Sequence, residues 1–205
     1  MSVDVILGLQ WGDEGKGKIV DSLATGYDFI CRFQGGPNAG HTLIFDNKKY
    51  VLHTIPSGIF RENIKNVIGA GVVIDPVTLA KEIANVEKEG VQVHRQLQIS
   101  NRAHFILPTH RLLDKASESD KGIAKIGSTL KGIGPTYMDK TGRNGLRFGD
   151  LFATGFRQKY EKLKEKHLRL YKMYPEIDFD LDSEEKEWFA SLDKIKNVPH
   201  IDAEY

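Results

Sequence analysis

A glycine- and lysine-rich segment close to the N-terminus has the composition of a phosphate-binding loop. It consists of Gly12, Asp13, Glu14, Gly15, Lys16, Gly17 and Lys18. Glycines let backbone amides turn towards a ligand, a helix N-terminus adds partial positive charge, and lysines neutralise phosphate oxygens. The spacing of Gly12, Gly17 and Lys18 matches the nucleotide-binding pattern G-x-x-x-x-G-K. The segment therefore predicts a site for a nucleoside triphosphate.

One position departs from that nucleotide-binding pattern. Ile19 stands where a P-loop has the serine or threonine that binds magnesium. Either the match is a coincidence, or another residue holds the metal. Asp13 is the candidate for the second explanation, because its carboxylate is a hard oxygen ligand and would otherwise repel phosphate. A third interpretation gives Asp13 only the local role of capping the following helix.

A second glycine-rich segment follows the next predicted strand. It consists of Gln34, Gly35, Gly36, Pro37, Asn38, Ala39, Gly40, His41 and Thr42. Ligands of open parallel sheets bind at the carboxyl ends of the strands, so we expect the two loops to lie together. Asn38 and His41 are its polar side chains, and an imidazole transfers protons near neutral pH. A carboxylate base at Asp13 and an imidazole acid at His41 would activate a substrate carbonyl or amide for phosphoryl transfer.

The elements that must position these loops alternate between strand and helix. In chain order they are a buried strand at 3–7, a helix at 17–24, a strand at 27–33, a hairpin over 42–53, a strand at 66–68 and a helix at 76–89. Asp75 is placed to cap the last of these helices. This order predicts an α/β fold that is P-loop-like, with a central, mainly parallel sheet flanked by helices.

A glycine-rich, basic stretch spans residues 122–149. Besides its glycines it contains Thr129, Lys131, Lys140, Arg143 and Arg147. Long segments with little hydrophobic periodicity inside a compact domain are typical of binding loops. We therefore expect a flexible substrate-binding loop over about residues 120–150.

Helical periodicity returns after that stretch. It predicts a helical segment over residues 156–192, with one helix at 156–174 and a second that Ser183 caps. We interpret the basic face of the first helix as solvated rather than as a nucleic-acid surface. Residues 197–205 suggest no clear terminal element.

Composition excludes several classes of protein. The 205 residues carry a net charge of +1, which gives no basis for a nucleic-acid or acidic-membrane partner. The single cysteine, Cys31, permits no internal disulfide and lies in an apolar run that predicts its burial. No segment has the pattern of a membrane span or a signal peptide. These features predict a cytoplasmic enzyme of one domain, or of one domain and a part of another.

Both loops, and three further segments, resemble the adenylosuccinate synthetase family. The resembling segments are residues 10–21, 34–42, 52–58, 132–137 and 145–147. The resemblance extends from about residue 3 to residue 152. It implies a GTP-dependent carbon–nitrogen ligase that joins inosine monophosphate and L-aspartate to give adenylosuccinate, GDP and phosphate, on the route to AMP.

The resemblance also implies how the reaction proceeds. The aspartate that matches Asp13 takes the proton from N1 of the purine and binds Mg²⁺. The histidine that matches His41 acts as an acid towards the transferred phosphate. The oxygen at C6 is phosphorylated, which gives a 6-phosphoryl-inosinate, and the amine of aspartate then displaces it. Magnesium is thus the implied cofactor and GTP the co-substrate.

Binding residues follow from the resemblance by position. Those that match GTP contacts are Gly12, Asp13, Glu14, Gly15, Lys16, Gly17, Lys18, Gly40, His41 and Thr42. Those that match inosinate contacts are Asp13, Glu14, Gly15, Lys16, Asn38, Ala39, Gly40, His41 and Thr129. The carbonyl of Gly40 joins Asp13 as a magnesium ligand. Arg143 matches an arginine that reaches the inosinate of the other subunit, which implies a homodimer.

Family members are about twice as long as this chain. We therefore expect residues 1–205 to be the N-terminal part of a larger α/β enzyme domain, with its phosphate loops at 8–42. The guanine-recognising and aspartate-binding segments are expected beyond it. Two other interpretations stay open: a GTP-binding switch without a small-molecule substrate, and an inactive fragment that acts only through assembly. His41 argues against the switch, because a switch needs no acid beside the phosphates.

Overall fold

A parallel β-sheet with helices packed on it forms the centre of the molecule. The computed structural model describes residues 2–10, 14–45, 48–122 and 127–202. In chain order the elements are α1 (Lys16–Leu23), β1 (Phe29–Gly35), β2 (His41–Phe45), β3 (Lys48–Leu52), β4 (Lys65–Ile74), α2 (Pro76–Lys88), α3 (Val93–Gln96), β5 (Leu97–Ser100), β6 (His104–Phe105), α4 (Pro108–Asp120), α5 (Ile133–Thr141), α6 (Phe156–Tyr171), α7 (Leu181–Ile195) and β7 (His200–Ile201).

The order of strands in the sheet is β1-β4-β5-β7, and β6 pairs with the C-terminal end of β4. Each of these pairs is parallel. Strands β2 and β3 form a separate antiparallel hairpin. The predicted α/β fold with a mainly parallel central sheet is therefore confirmed, as are the hairpin and the helix that Asp75 caps through the backbone N–H of Val77.

Strand β4 is longer than the sequence predicted and continues through Gly69 and Gly71. It lies so close to β1 that a Cβ at Gly69 would stand 3.0 Å from the carbonyl oxygen of Arg32. The pairing also shifts register between Arg32 and Gln34. Glycine tolerates this close approach, so the glycines continue the strand instead of ending it.

The prediction of a buried strand at residues 3–7 is wrong. Residues 2–9 belong to no strand, and Val3 and Leu9 are 80% and 94% exposed. A buried parallel strand needs a neighbour on which to pair, and within the described ranges nothing pairs with the outer edge of β1. The predicted burial of Cys31 fails for the same reason, because it lies exposed on that edge strand.

Part of the glycine-rich stretch is helical, contrary to the expected loop over 120–150. Helix α5 lies inside it, capped by Gly132 in the left-handed region at φ 74°. Its buried face carries Thr136 and Asp139, polar residues whose hydrogen bonds replace the apolar periodicity that marks most helices. Residues 123–126 of the stretch lie outside the described ranges.

Helices α6 and α7 occupy most of residues 156–192, where the sequence predicted a helical segment. Asp180 caps α7, because its side chain accepts from the backbone N–H of Ser183 at 3.1 Å; the prediction of Ser183 as the cap was wrong. Trp188 of α7 is buried and donates from Nε1 to the carbonyl of Ile106 at 2.8 Å. Strand β7 lies where the sequence suggested no element. None of the described helices combines the length and apolar character needed to cross a membrane.

Candidate active site

The first predicted loop leads into α1. Gly15 is its N-cap, in the left-handed region at φ 70°, and its carbonyl accepts the backbone N–H of Lys18 at 3.0 Å. A glycine suits this position because it adopts such a conformation without strain. Lys18 is exposed and Gly17 is buried. Gly12 and Asp13 lie outside the described residues, so the base and metal-ligand roles of Asp13 stay predictions.

Glu14 folds back onto its own loop. Its carboxylate accepts the backbone N–H of Gln10 at 2.6 Å and pairs with the ammonium group of Lys16. The hydrogen bond from Lys16 lowers the pKa of Glu14. A side chain at Gly8 would collide with this carboxylate. Glu14 thus stays charged and links the backbone of Gln10 to the side chain of Lys16.

The two predicted loops meet where α1 touches β2. A Cβ at Gly17 would lie 2.8 Å from Cβ of His41 and 3.3 Å from Oγ of Ser57. Only glycine fits there without moving its neighbours. His41 and Thr42 are the first residues of β2, opposite Leu52 and Val51 of β3. The structure therefore brings the N-terminal turn of α1 and the candidate acid together, as expected from the sequence.

The base of the second loop is held by side chains that the sequence reasoning missed. Tyr137 accepts the backbone N–H of Gly35 at 2.9 Å and donates to the carbonyl of Gly71 at 2.8 Å. Arg32 donates to the carbonyl of Gly36 at 2.8 Å and also to that of His53. An arginine in the middle of an otherwise apolar strand was the available signal for this role.

The middle of the second loop forms an open turn. Asn38 and Ala39 are exposed there. Gly40 follows against β3, since a Cβ on it would lie 2.8 Å from Cγ1 of Val51 and 3.2 Å from the ring of His53. The backbone thus comes close to β3 at Gly40 and leaves the preceding side chains accessible to a ligand.

Thr129 and Arg143 stand on the two segments that flank α5, and both are exposed. The segment of Thr129 is held by α4, where Glu118 accepts the backbone N–H of Gly127 at 2.6 Å and Asp114 accepts that of Gly132 at 2.9 Å. Arg143 lies in the turn after α5 with φ 59°. Their predicted contacts with inosinate are not tested by this arrangement.

A buried cluster between α4, α5 and α6 has the side-chain types of a metal site. His110 and His167 both face one carboxylate oxygen of Asp139, at 3.2 and 2.8 Å, and Lys166 pairs with the other oxygen. The backbone N–H of Leu107 donates to Nδ1 of His110 at 3.0 Å, which leaves the proton on Nε2, facing Asp139. The nitrogen that would bind a metal is thus a hydrogen-bond donor.

The electrostatics of this cluster fit a structural role. Burial lowers the pKa of His110 to about 4, so the ring is neutral at pH 7. Burial alone would raise the pKa of Asp139, but hydrogen bonds from His110, His167 and Lys166 outweigh it and hold the pKa well below the usual range. The carboxylate therefore joins three helices through charged and neutral donors.

A cavity with a volume of about 420 Å³ lies between β3 and α2. Its lining includes Lys48, Tyr50, Phe60 and Glu89. None of the predicted site residues is among its described lining.

Known proteins are similar to this chain over nearly its whole length. The sequence profile of adenylosuccinate synthetase matches residues 5–203. Adenylosuccinate synthetase of Flavobacterium johnsoniae is 60% identical over 205 residues, which cover 100% of this chain and 48% of that protein. The corresponding protein of Bacteroides fragilis is 52% identical with the same coverage. The chain thus spans about half the length of the curated relatives it matches.

Two solved structures are also similar to this chain. Fully ligated adenylosuccinate synthetase from Plasmodium falciparum matches with a TM-score of 0.81 and 37% identity, over 96% of this chain and 45% of that one. Succinoaminodeoxyadenylate synthetase of cyanophage S-2L, bound to dGMP and to dATP as an energy donor, matches with a TM-score of 0.54 and 29% identity over 68% and 39%. With the profile match over nearly its whole length, the chain belongs to the adenylosuccinate synthetase family.

Proposed function

We propose that the protein to which this chain belongs is a GTP-dependent ligase that joins inosine monophosphate to L-aspartate and forms adenylosuccinate for AMP synthesis. The observation that carries this proposal is the contact between Gly17 and His41. An imidazole beside the first turn of α1 supports phosphate binding and transfer at that turn. A GTP-binding switch has no use for such an acid, whereas phosphoryl transfer to a purine oxygen does.

Acid–base chemistry is divided between the two loops. Asp13 removes the proton from N1 of inosinate, which makes the C6 oxygen a nucleophile towards the γ-phosphate of GTP. His41 donates a hydrogen bond or proton to the phosphate as it transfers. The amine of aspartate then attacks C6, and phosphate leaves with the oxygen.

Phosphate binding uses the backbone amides at the start of α1 together with the lysines of the loop. The residues assigned to GTP are Gly12, Asp13, Glu14, Gly15, Lys16, Gly17, Lys18, Gly40, His41 and Thr42. Those assigned to inosinate are Asp13, Glu14, Gly15, Lys16, Asn38, Ala39, Gly40, His41, Thr129 and, from the other subunit, Arg143. The exposure of Lys18, Asn38 and Thr129 supports these assignments, because each is accessible to a ligand.

Magnesium fits the donor chemistry of this edge of the molecule. Asp13 would supply a carboxylate oxygen and Gly40 a carbonyl oxygen, which are the hard ligands that Mg²⁺ prefers. Close contact with Val51 and His53 places the backbone of Gly40 against the end of the β2–β3 hairpin. When bound, the ion would neutralise part of the negative charge on the phosphates of GTP.

Assembly and location are part of the same proposal. The protein forms a homodimer in which Arg143 reaches the inosinate site of the other subunit, and it works in the cytoplasm. The exposed position of Arg143, at the end of a short helix, supports a role outside its own subunit.

The test is phosphate release by a chain that spans the full length of the relatives. Release should require GTP, inosinate and aspartate together, and calorimetry should show inosinate binding. Asp13→Ala should abolish turnover. Phosphate release that does not depend on inosinate and aspartate would instead indicate a switch. A folded, full-length protein that releases no phosphate would contradict the proposal of a ligase.

A further inference from the structure

A buried carboxylate lies beneath the segment that follows β3. Glu82, on α2, is 4% exposed. It accepts the backbone N–H of His53 at 2.5 Å and that of Thr54 at 2.9 and 3.0 Å, with a longer contact of 3.4 Å from Ile55. Three successive amides thus converge on one side chain. A hydrophobic residue at this position would leave those buried amides without partners.

Arg32 also holds this segment. Its guanidinium donates to the carbonyl of His53 and, at 2.8 Å, to the carbonyl of Gly36 in the second glycine loop. Burial lowers the pKa of Arg32, and the negative charge of Glu82 opposes that change. Burial raises the pKa of Glu82, and the hydrogen bonds from the three amides oppose that change. His53 therefore has its N–H bound to the carboxyl group of Glu82 and its C=O bound to the guanidinium of Arg32.

This segment is directly connected to the candidate acid. His41 pairs with Leu52, the residue before His53. The ring of His53 contacts the second loop, with Nδ1 at 3.3 Å from the carbonyl of Ala39. Ser57, a few residues further on, stands next to Gly17 of α1 in the close approach described above. A displacement of the backbone at His53 would therefore shift His41 and would also shift Ser57, which stands next to Gly17.

We infer that Glu82 and Arg32 are positioning residues, which hold the backbone N–H and C=O of His53 and thereby set where His41 stands against α1. The inference rests on the proposed function, because it concerns the placement of His41, the acid that this function requires. Neither Glu82 nor Arg32 touches substrate in this proposal. Stability alone does not require this arrangement. An apolar contact could join α2 to the hairpin without fixing the orientation of the three backbone amides of residues 53–55.

The test compares Glu82→Gln with a control at Glu89, the C-cap of the same helix. Glu89 also joins α2 to β3, through Lys48 at 2.7 Å and the hydroxyl of Tyr50 at 3.0 Å, but at the end of the hairpin away from His41. In a chain that spans the full length of the relatives, Glu82→Gln should lower kcat by about tenfold or more, with KM for inosinate nearly unchanged. Glu89→Gln should change kcat by less than about twofold.

A double-mutant cycle separates positioning from a general loss of stability. If Glu82 acts through His41, then Glu82→Gln should have less than about a twofold effect on the residual turnover of His41→Asn. Arg32→Lys should show the same dependence, because lysine keeps the charge but cannot reach both carbonyls as a planar fork. An equal loss from Glu82→Gln in both backgrounds would overturn the inference, as would an equal loss from Glu89→Gln.

A measurement that needs no turnover keeps the two proposals distinguishable. In full-length protein with ¹³C-labelled histidine rings, the NMR signal that His41→Asn removes identifies His41. That signal should shift in Glu82→Gln and stay in place in Glu89→Gln. An unmoved signal in a folded Glu82→Gln protein would contradict the positioning role whether or not the parent is a ligase, whereas an inactive parent would contradict only the proposed function.

Discussion

The N-terminal face and the helical layer of this molecule differ in how well they are packed. On the N-terminal face, Val3, Leu9 and Phe29 are exposed, and β1 forms the outer edge of the sheet. In the layer of α4 to α7, Trp188 and Asp139 are buried and hydrogen-bonded. The residues predicted to do chemistry belong to the first region, where large apolar side chains are exposed. Binding sites are often built on segments with few buried apolar contacts.

The largest effect on chemistry should come from the N-terminal face. His41→Asn should raise the barrier to turnover by about 3–5 kcal/mol, because the transferred phosphate would lose its acid. Steady-state kinetics on a full-length chain measure this loss. The free energy of unfolding should hardly change, since His41 is only partly buried. A variant with near-normal turnover would show that His41 is not the acid.

The largest effect on stability should come from the helical layer. Asp139→Ala removes the carboxylate shared by His110, His167 and Lys166. Loss of one partner in a buried charged network typically lowers the free energy of unfolding by about 3–5 kcal/mol. Urea unfolding of the variant and the parent protein measures this loss in the free energy of unfolding. The control Asp193→Ala removes an exposed pair with Lys196 and should cost less than about 1 kcal/mol. Equal losses would remove the distinction between the cluster and an ordinary surface pair.

Acid should weaken the helical layer in a defined window. The pKa of His110 is lowered by burial from 6.5 to about 4, so the unfolded chain takes up a proton before the folded one. Stability is therefore complete above pH 6.5 and decreases as the pH falls towards 4, by about 3 kcal/mol from this residue. His104, whose pKa burial also lowers to about 4, adds to the change. Urea midpoints that stay constant across this window would contradict the burial of neutral histidines.

The smallest effect should come from the exposed N-terminal side chains. Leu9→Ser in the chain of 205 residues should change the free energy of unfolding by less than about 0.5 kcal/mol, because Leu9 is 94% exposed. Leu79→Ala in α2, where the side chain is fully buried, should cost about 2–5 kcal/mol. Thermal or urea unfolding compares the two. A large loss from Leu9→Ser would mean that the N-terminal segment is packed after all.

Local patterns predicted the parts of the fold that depend on nearby residues. The alternation of strands and helices, the Asp75 cap and the approach of the two glycine loops all follow from short segments of sequence. The N-terminal strand failed because burial depends on a neighbour that the pattern does not contain. Helix α5 was missed because its buried face, with Thr136 and Asp139, is polar.

The supports of the site depend on contacts between distant parts of the chain. Glu82 meets residues about thirty positions earlier, and Tyr137 meets Gly35 about a hundred positions earlier. No local periodicity encodes such partners. The available hint was chemical: Arg32 lies within an apolar strand, and Glu82 falls on the apolar face of a helix between Leu79 and Ile83. Charged residues in such places require partners.

The path of one oxygen atom tests the ligase chemistry most directly. Inosinate labelled with ¹⁸O at C6 would be converted by a full-length chain with GTP and aspartate, and the released phosphate would be analysed by mass spectrometry. Transfer of the γ-phosphate to the C6 oxygen, followed by displacement, predicts that each phosphate released carries the label. Unlabelled phosphate would show that water, and not inosinate, accepts the phosphoryl group, and would contradict a ligase built on α1 and His41.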